Sequence, residues 1–284
     1  MDTLPLLRDT LNSRWDKYKS ELKTCRREFS EEAVHDFRVA ARRLLSLLDL
    51  LREILQDPGI KKARRVMKDQ LDQLDELRNT QVLLADLSES IADTPMLRSF
   101  QEYLQKKERK LLRTTRKEIK SMQTASVAKR IKKLDQAIGD FNQENLDIGL
   151  FSVVDEVFAI VMQRYALVDP SQPSTIHRVR LAFKKFRYMV EVIHPILPDF
   201  PADQLKRMHD YQTSMGDIQD MEVALLYLSA FNEIAPASYD PDPALSHYQK
   251  RHQIAISNYI EDKGGVITFW RSAPDQSFQQ EKRK

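Results

Sequence analysis

His35, Arg38 and Arg42 recur at spacings of three and four residues in VHDFRVAARRLLSLLDLL, residues 34–51. That spacing puts them on one stripe of an α-helix. Phe37, Ala41, Leu44, Leu48 and Leu51 form an apolar stripe beside it. A row of guanidinium and imidazole groups suits the holding of an anion. Arginine gives forked hydrogen bonds to phosphate oxygens, and lysine acts as a point charge. A neutral imidazole donates one hydrogen bond to phosphate, and a protonated one adds charge. Helices rise ~1.5 Å per residue, so His35 to Arg42 spans roughly 10 Å, the reach of several linked phosphates. The plainer alternative is a solvated face, and an isolated histidine is more often a packing or capping residue.

The stripe is not isolated. IHRVRLAFKKFR, half the chain further on, matches it: His177 aligns with His35, Arg180 with Arg38, and Lys184-Lys185 with Arg42-Arg43. Downstream, LDELRNTQV at 74–82 aligns with MGDIQDMEV at 215–223. One His-x-x-Arg means little. Two copies at equivalent places in two similar series of helices indicate duplication and shift the weight towards a ligand-lining role.

The elements that must position these residues are long helices. Amphipathic helices are expected over 4–29, 30–56, 60–91, about 95–122, 125–138, 146–167, 174–193, 202–233 and 242–262. Ser30 is the expected N-cap of the second, with Glu31 and Glu32 in its first turn. Ser174 is the expected cap of the helix that carries the second motif. Asp57-Pro58-Gly59, Asp93-Thr94-Pro95, Pro170, Pro173, Pro195 and Pro198 are the breaks. No strand pattern appears elsewhere, so the expected class is all-α. Each half would form a four-helix bundle, 4–122 and 146–262, joined by a helix and linker over 123–145, with a mobile tail from 263 to 284. The two halves would pack together about a pseudo-twofold axis.

On these residues the chain resembles the CHAD family, the conserved histidine α-helical domain. The matching elements are His35-x-x-Arg38-x-x-x-Arg42-Arg43, then His177-x-x-Arg180-x-x-x-Lys184-Lys185-x-Arg187-Tyr188, and MGDIQDMEV. The resemblance spans roughly 4–262. It implies two helical bundles around a basic central groove or pore that binds inorganic polyphosphate and catalyses no reaction. Some members are fused to a triphosphatase-type domain with a Glu-x-Glu-x-Lys motif. The sequence has none, so it reads as a stand-alone member. It departs from the family pattern at Leu45, where the second copy keeps basic Arg187. It departs again at Asp75 and Asn79, where the pattern has Gly and Asp. The first half is therefore expected to hold fewer ligand contacts, or to pack its third helix differently.

Composition narrows the classes further. The net charge of +3 is only mildly basic, so distribution matters more than the total. Residues 98–133 carry thirteen Lys or Arg against three Glu, while 134–170 carry seven acids against one Arg. The basic block is more readily a solvated face than a second anion site. Six glycines in the whole chain argue against glycine-rich nucleotide loops. Cys25 is the only cysteine, which allows no internal disulfide and fits a reducing cytoplasm. No signal peptide opens the chain and no apolar run reaches the ~18–20 residues of a membrane span. A cytoplasmic protein, associated with polyphosphate granules, is the expected setting.

The candidate polyphosphate ligands are thus His35, Arg38, Arg42, Arg43, His177, Arg180, Lys184, Lys185 and Arg187. Lys61, Arg64, Arg65, Lys68, Tyr188, Lys206 and Arg207 are weaker candidates. Phosphate or sulfate ions would fit the same site. No cofactor, metal or membrane partner is expected; His247 and His252 are five residues apart, not the four of a helical zinc pair. A nucleic-acid binder would share the electrostatics, but the stripes lack interleaved exposed aromatics. A phosphohydrolase would need metal-binding carboxylates or an activated nucleophile. Asp217 and Asp220 are available acids, more simply read as partners of the basic helix.

Overall fold

The computed structural model describes residues 2–90, 95–197 and 200–271. Among them ten α-helices follow one another: α1 (Thr3–Glu28), α2 (Glu31–Leu55), α3 (Pro58–Asp72), α4 (Asp75–Ser90), α5 (Arg98–Ser121), α6 (Ala125–Gly139), α7 (Gln143–Ala166), α8 (Pro173–Ile193), α9 (Gln204–Asn232) and α10 (Asp242–Asp262). The described residues contain no strand, and the class is all-α. The expected breaks at Asp93-Thr94 and Pro198, and the polar end from 272, lie outside the described residues.

α2, which carries the first motif, starts as its sequence dictates. The Ser30 side chain accepts a hydrogen bond from the Ala33 amide at 3.1 Å, with Glu31 and Glu32 in the first turn. It ends at Gln56 in the left-handed region (φ 52°), and α1 ends the same way at Phe29 (φ 49°). Such caps usually fall on glycine, so two non-glycine examples flank the motif helix. Ser174 does not cap α8. Pro173 takes the first turn instead, and the Thr175 hydroxyl holds the preceding loop by donating to the Gln172 carbonyl at 2.7 Å.

The larger apolar core runs through both halves. It joins Leu11, Tyr18, Phe37, Leu44, Leu48 and Ile131 to Val154, Phe183, Phe186 and Tyr211. α1 packs on α2 and α7 on α8, and α2 crosses both α7 and α8. A smaller cluster also draws on both halves. Leu83, Leu87, Phe100 and Leu104 from α4 and α5 meet Leu228, Phe231 and Tyr248 from α9 and α10. The described residues therefore share their core across the chain's midpoint.

Two expectations need correction. The helix expected over 60–91 is two helices, interrupted at Gln73-Leu74. Its Leu71, Leu74, Leu77 and Leu84 keep helical period across the gap, so periodicity does not reveal it. The Leu71 carbonyl at the gap is shared: it accepts from the Leu74 amide at 2.9 Å, a tighter turn than the α-helical one, and from Nη1 of Arg38 at 3.3 Å. The second correction concerns residues 263–271, expected to begin a mobile tail. A 3-10 helix over Lys263–Phe269 packs into the larger core instead. Val266, Phe269 and Trp270 are buried, and the Trp270 indole donates to Asp155 at 2.7 Å.

Candidate cation cluster between the motif helices

Arg42 and Lys184 hold the same place in the two copies of the motif, and the α2–α8 contact brings them into each other's field. Burial pushes the Lys184 ammonium down to about 7, and Arg42, Arg180 and Arg38 push the same way against Asp75. Burial and then Arg42 lower Arg38, while burial and Arg42 also lower Arg180. The influence crosses between the helices at both ends: Arg38 acts on Lys184, and Arg42 acts on Arg180. Four cations from two helices are gathered where like charges repel and water is scarce.

The two ends of the cluster differ. Arg38 is 4% exposed and engaged, its Nη2 lying 2.7 Å from Oδ1 of Asp75. At the other end Gly216 takes the place of Asp75, and a Cβ there would lie 3.8 Å from Nη2 of Arg180. The Arg180 Nε is buried without a hydrogen-bond partner. Asp220 and Asp217 favour its charge from a distance, and neither forms an ion pair with it; burial raises both carboxyls. His177 follows the same asymmetry, with Nδ1 buried and unpartnered, while His35 is exposed.

The remaining sequence candidates are distributed differently. Arg187 is buried and spoken for. It donates through Nε to Gln212 at 2.9 Å and through Nη1 to Glu191 at 2.5 Å, and it lies over the Tyr188 ring at 4.5 Å. Its counterpart Leu45 packs against the core. Lys185 reaches across to Glu53 on α2 at 3.8 Å. Arg43 is exposed. Arg64 pairs with Asp49, and Lys68 with Asp72 at 2.9 Å. Lys61, Arg65 and Lys206 are exposed on α3 and α9. Arg207 turns to the C-terminal segment, donating to Gln204 and Thr268. In the basic block, Lys106, Arg109, Lys110 and Arg113 line a shallow, exposed hollow on α5.

Sequence reasoning missed Arg14. It sits on α1 between Leu11 and Tyr18, on the stripe that the helix buries, and its Nη1 donates to the Arg43 carbonyl at 2.6 Å. Burial pushes it down to about 10. With Ser13, Lys17, Asp36, Arg43 and Glu191 it lines a pocket of about 470 Å³. The available signal was an arginine three residues after one buried leucine and four before a buried tyrosine.

Among the described residues no three His, Cys, Asp or Glu side chains are grouped to hold a metal. No helix among them is long and apolar enough to cross a membrane. The cluster thus offers donors and positive charge. The family described as the CHAD domain matches residues 10–229. The fold is similar to a crystal structure of the CHAD domain from the plant Ricinus communis. That match has a TM-score of 0.65 at 17% identity, covering 95% of this chain and 90% of that one. It is also similar to PptA from Streptomyces chartreusis, with a TM-score of 0.68 at 13% identity, covering 95% and 99%. No curated protein matches the sequence.

Proposed function

The chain belongs to the CHAD family, and from that premise we propose that it binds inorganic polyphosphate, without turning it over, through the cationic faces of α2 and α8. The observation that carries this reading is the gathering of Arg42, Arg180 and Lys184, none ion-paired to a carboxylate among the described residues. Half-buried cations gathered without counter-ions are costly to the fold. A linear polyanion supplies one negative charge per internal phosphate, and its oxygens accept the forked hydrogen bonds that arginine offers. Sulfate or free phosphate would occupy the same place more weakly, having fewer charges to deliver. In a cell such a module would place its host at polyphosphate granules in the cytoplasm.

The test is retention of polyphosphate chains of graded length, with RNA as competitor at equal phosphate concentration. Saturable binding that strengthens with chain length and resists RNA is expected. Equal displacement by RNA would instead make the protein a general polyanion or nucleic-acid binder. In parallel, incubation with polyphosphate and divalent cations should release no phosphate. Sustained release would make it a phosphohydrolase.

A further inference from the structure

The cluster is symmetric in its cations but not in what faces them. Arg38 has a carboxylate of its own, Asp75, at the first residue of α4. Arg180 has Gly216 there, and nothing but its own guanidinium lies within 4 Å of a Cβ built on that glycine. Resting on the polyphosphate reading, we propose that Asp75 is a resident competitor for the anionic ligand. It occupies Arg38 in the empty protein, so a polyanion is gripped first at Arg180.

Three observations carry this. The guanidinium of Arg38 is buried but the Asp75 side chain is 50% exposed, so the carboxylate stands on the solvent side of the pair and can move into water when displaced. Arg180 has a buried Nε with no acceptor, a desolvated donor that ligand oxygens would satisfy. Arg38 keeps the Leu71 carbonyl as a second acceptor, so losing Asp75 would not leave its guanidinium without one. A ligand arriving at Arg38 must exchange one anion for another, whereas at Arg180 it displaces none that is directly bound.

The sign of a charge removal separates this role from a structural one. If Asp75 only held α4 in place, neutralising it would weaken binding; a competitor's removal strengthens it. Asp75→Asn keeps a helix-starting side chain and removes the charge. Gly216→Asp installs the same charge opposite Arg180, at a helical position where glycine is the poorer helix former. Both would be titrated with long-chain polyphosphate beside the unaltered protein, with thermal melts to establish folding. Asp75→Asn should bind about fivefold tighter, the scale of one half-exposed ion pair, and Gly216→Asp should bind weaker by a similar factor. Binding by folded Asp75→Asn that is unchanged or weaker overturns the inference while leaving the polyphosphate reading intact. If Asp75→Asn does not fold, Gly216→Asp decides, and wild-type affinity there overturns it. Failure of the unaltered protein to bind overturns both.

Discussion

Arg42 on α2 and Lys184 on α8 hold matching places in the two sequence motifs, and with α2 packed on α8 Arg42 is the first charge, after burial, that lowers the Lys184 ammonium. The motif therefore does two jobs. Its apolar stripe, Phe37 and Leu44 in one copy and Phe183 and Phe186 in the other, builds the shared core. Its cationic stripe meets its own duplicate.

Lys184 links this arrangement to pH. Its ordinary value of 10.5 falls to about 7 in the empty fold. Between those values the unfolded chain binds one more proton than the native one, so this group makes native stability rise with pH across that window. At lower pH, where both states are protonated, the cost of the buried charge is fully present. Lys184→Met should remove that slope in denaturant melts collected across the window. An unchanged slope would place Lys184 in a more solvated setting.

The same group predicts proton uptake on binding. A polyanion favours the charged ammonium, so above about pH 7 each binding event should draw a proton from the buffer. Calorimetric enthalpies would then vary with buffer ionisation enthalpy, and affinity would fall as pH rises through this range. Lys184→Arg, which stays charged throughout, should bind with no uptake at this position. Uptake that persists in Lys184→Arg would assign the proton elsewhere.

The paired and unpaired arginines should differ in stability. Arg38→Ala strips Asp75 and the Leu71 carbonyl of their donor and should cost about 1–3 kcal/mol. Arg187→Ala leaves Glu191 and Gln212 without their partner and should cost about 3 kcal/mol. Arg180→Ala breaks no ion pair and should leave the melting temperature near that of the unaltered protein. Equal losses at all three positions would contradict the assigned pairing.

Residues 263–271 should behave as core. Trp270→Ala removes a buried ring that meets Phe186 edge-on and donates to Asp155, and should cost about 3–5 kcal/mol. A variant as stable as the unaltered chain would restore the view of this segment as a dispensable extension.

The helices were legible because most are long and amphipathic, and several open on a proline or a capping side chain. Nine expected helices appear close to their bounds, one of them as two. The missed interruption at Gln73-Leu74 lies where Arg38, on another helix, bonds the Leu71 carbonyl, a contact no local pattern encodes. The site was legible as a stripe of residue types, because helical spacing alone sets which side chains share a face. It was not legible which cations are already neutralised. Arg180 and Arg187 read alike along α8, yet Arg187 is held by Glu191, four residues on, and by Gln212 on α9, and only the first of these is visible in local spacing. Arg14 was hidden by the opposite habit, that of reading a cation inside an apolar stripe as noise. Val266, Phe269 and Trp270, spaced three and four residues apart, were a helical core signal in a segment too close to the end to be credited.

The account stands most directly on one titration: long-chain polyphosphate against the unaltered protein and the Arg180→Ala/Lys184→Ala double variant, at one fixed salt concentration. The unaltered protein should bind saturably. The double variant, folded by circular dichroism and melting, should bind at least about a hundredfold more weakly, as the loss of two charge-assisted contacts implies. Equal affinity in the folded double variant would contradict the assignment of the binding site to the α2–α8 cluster.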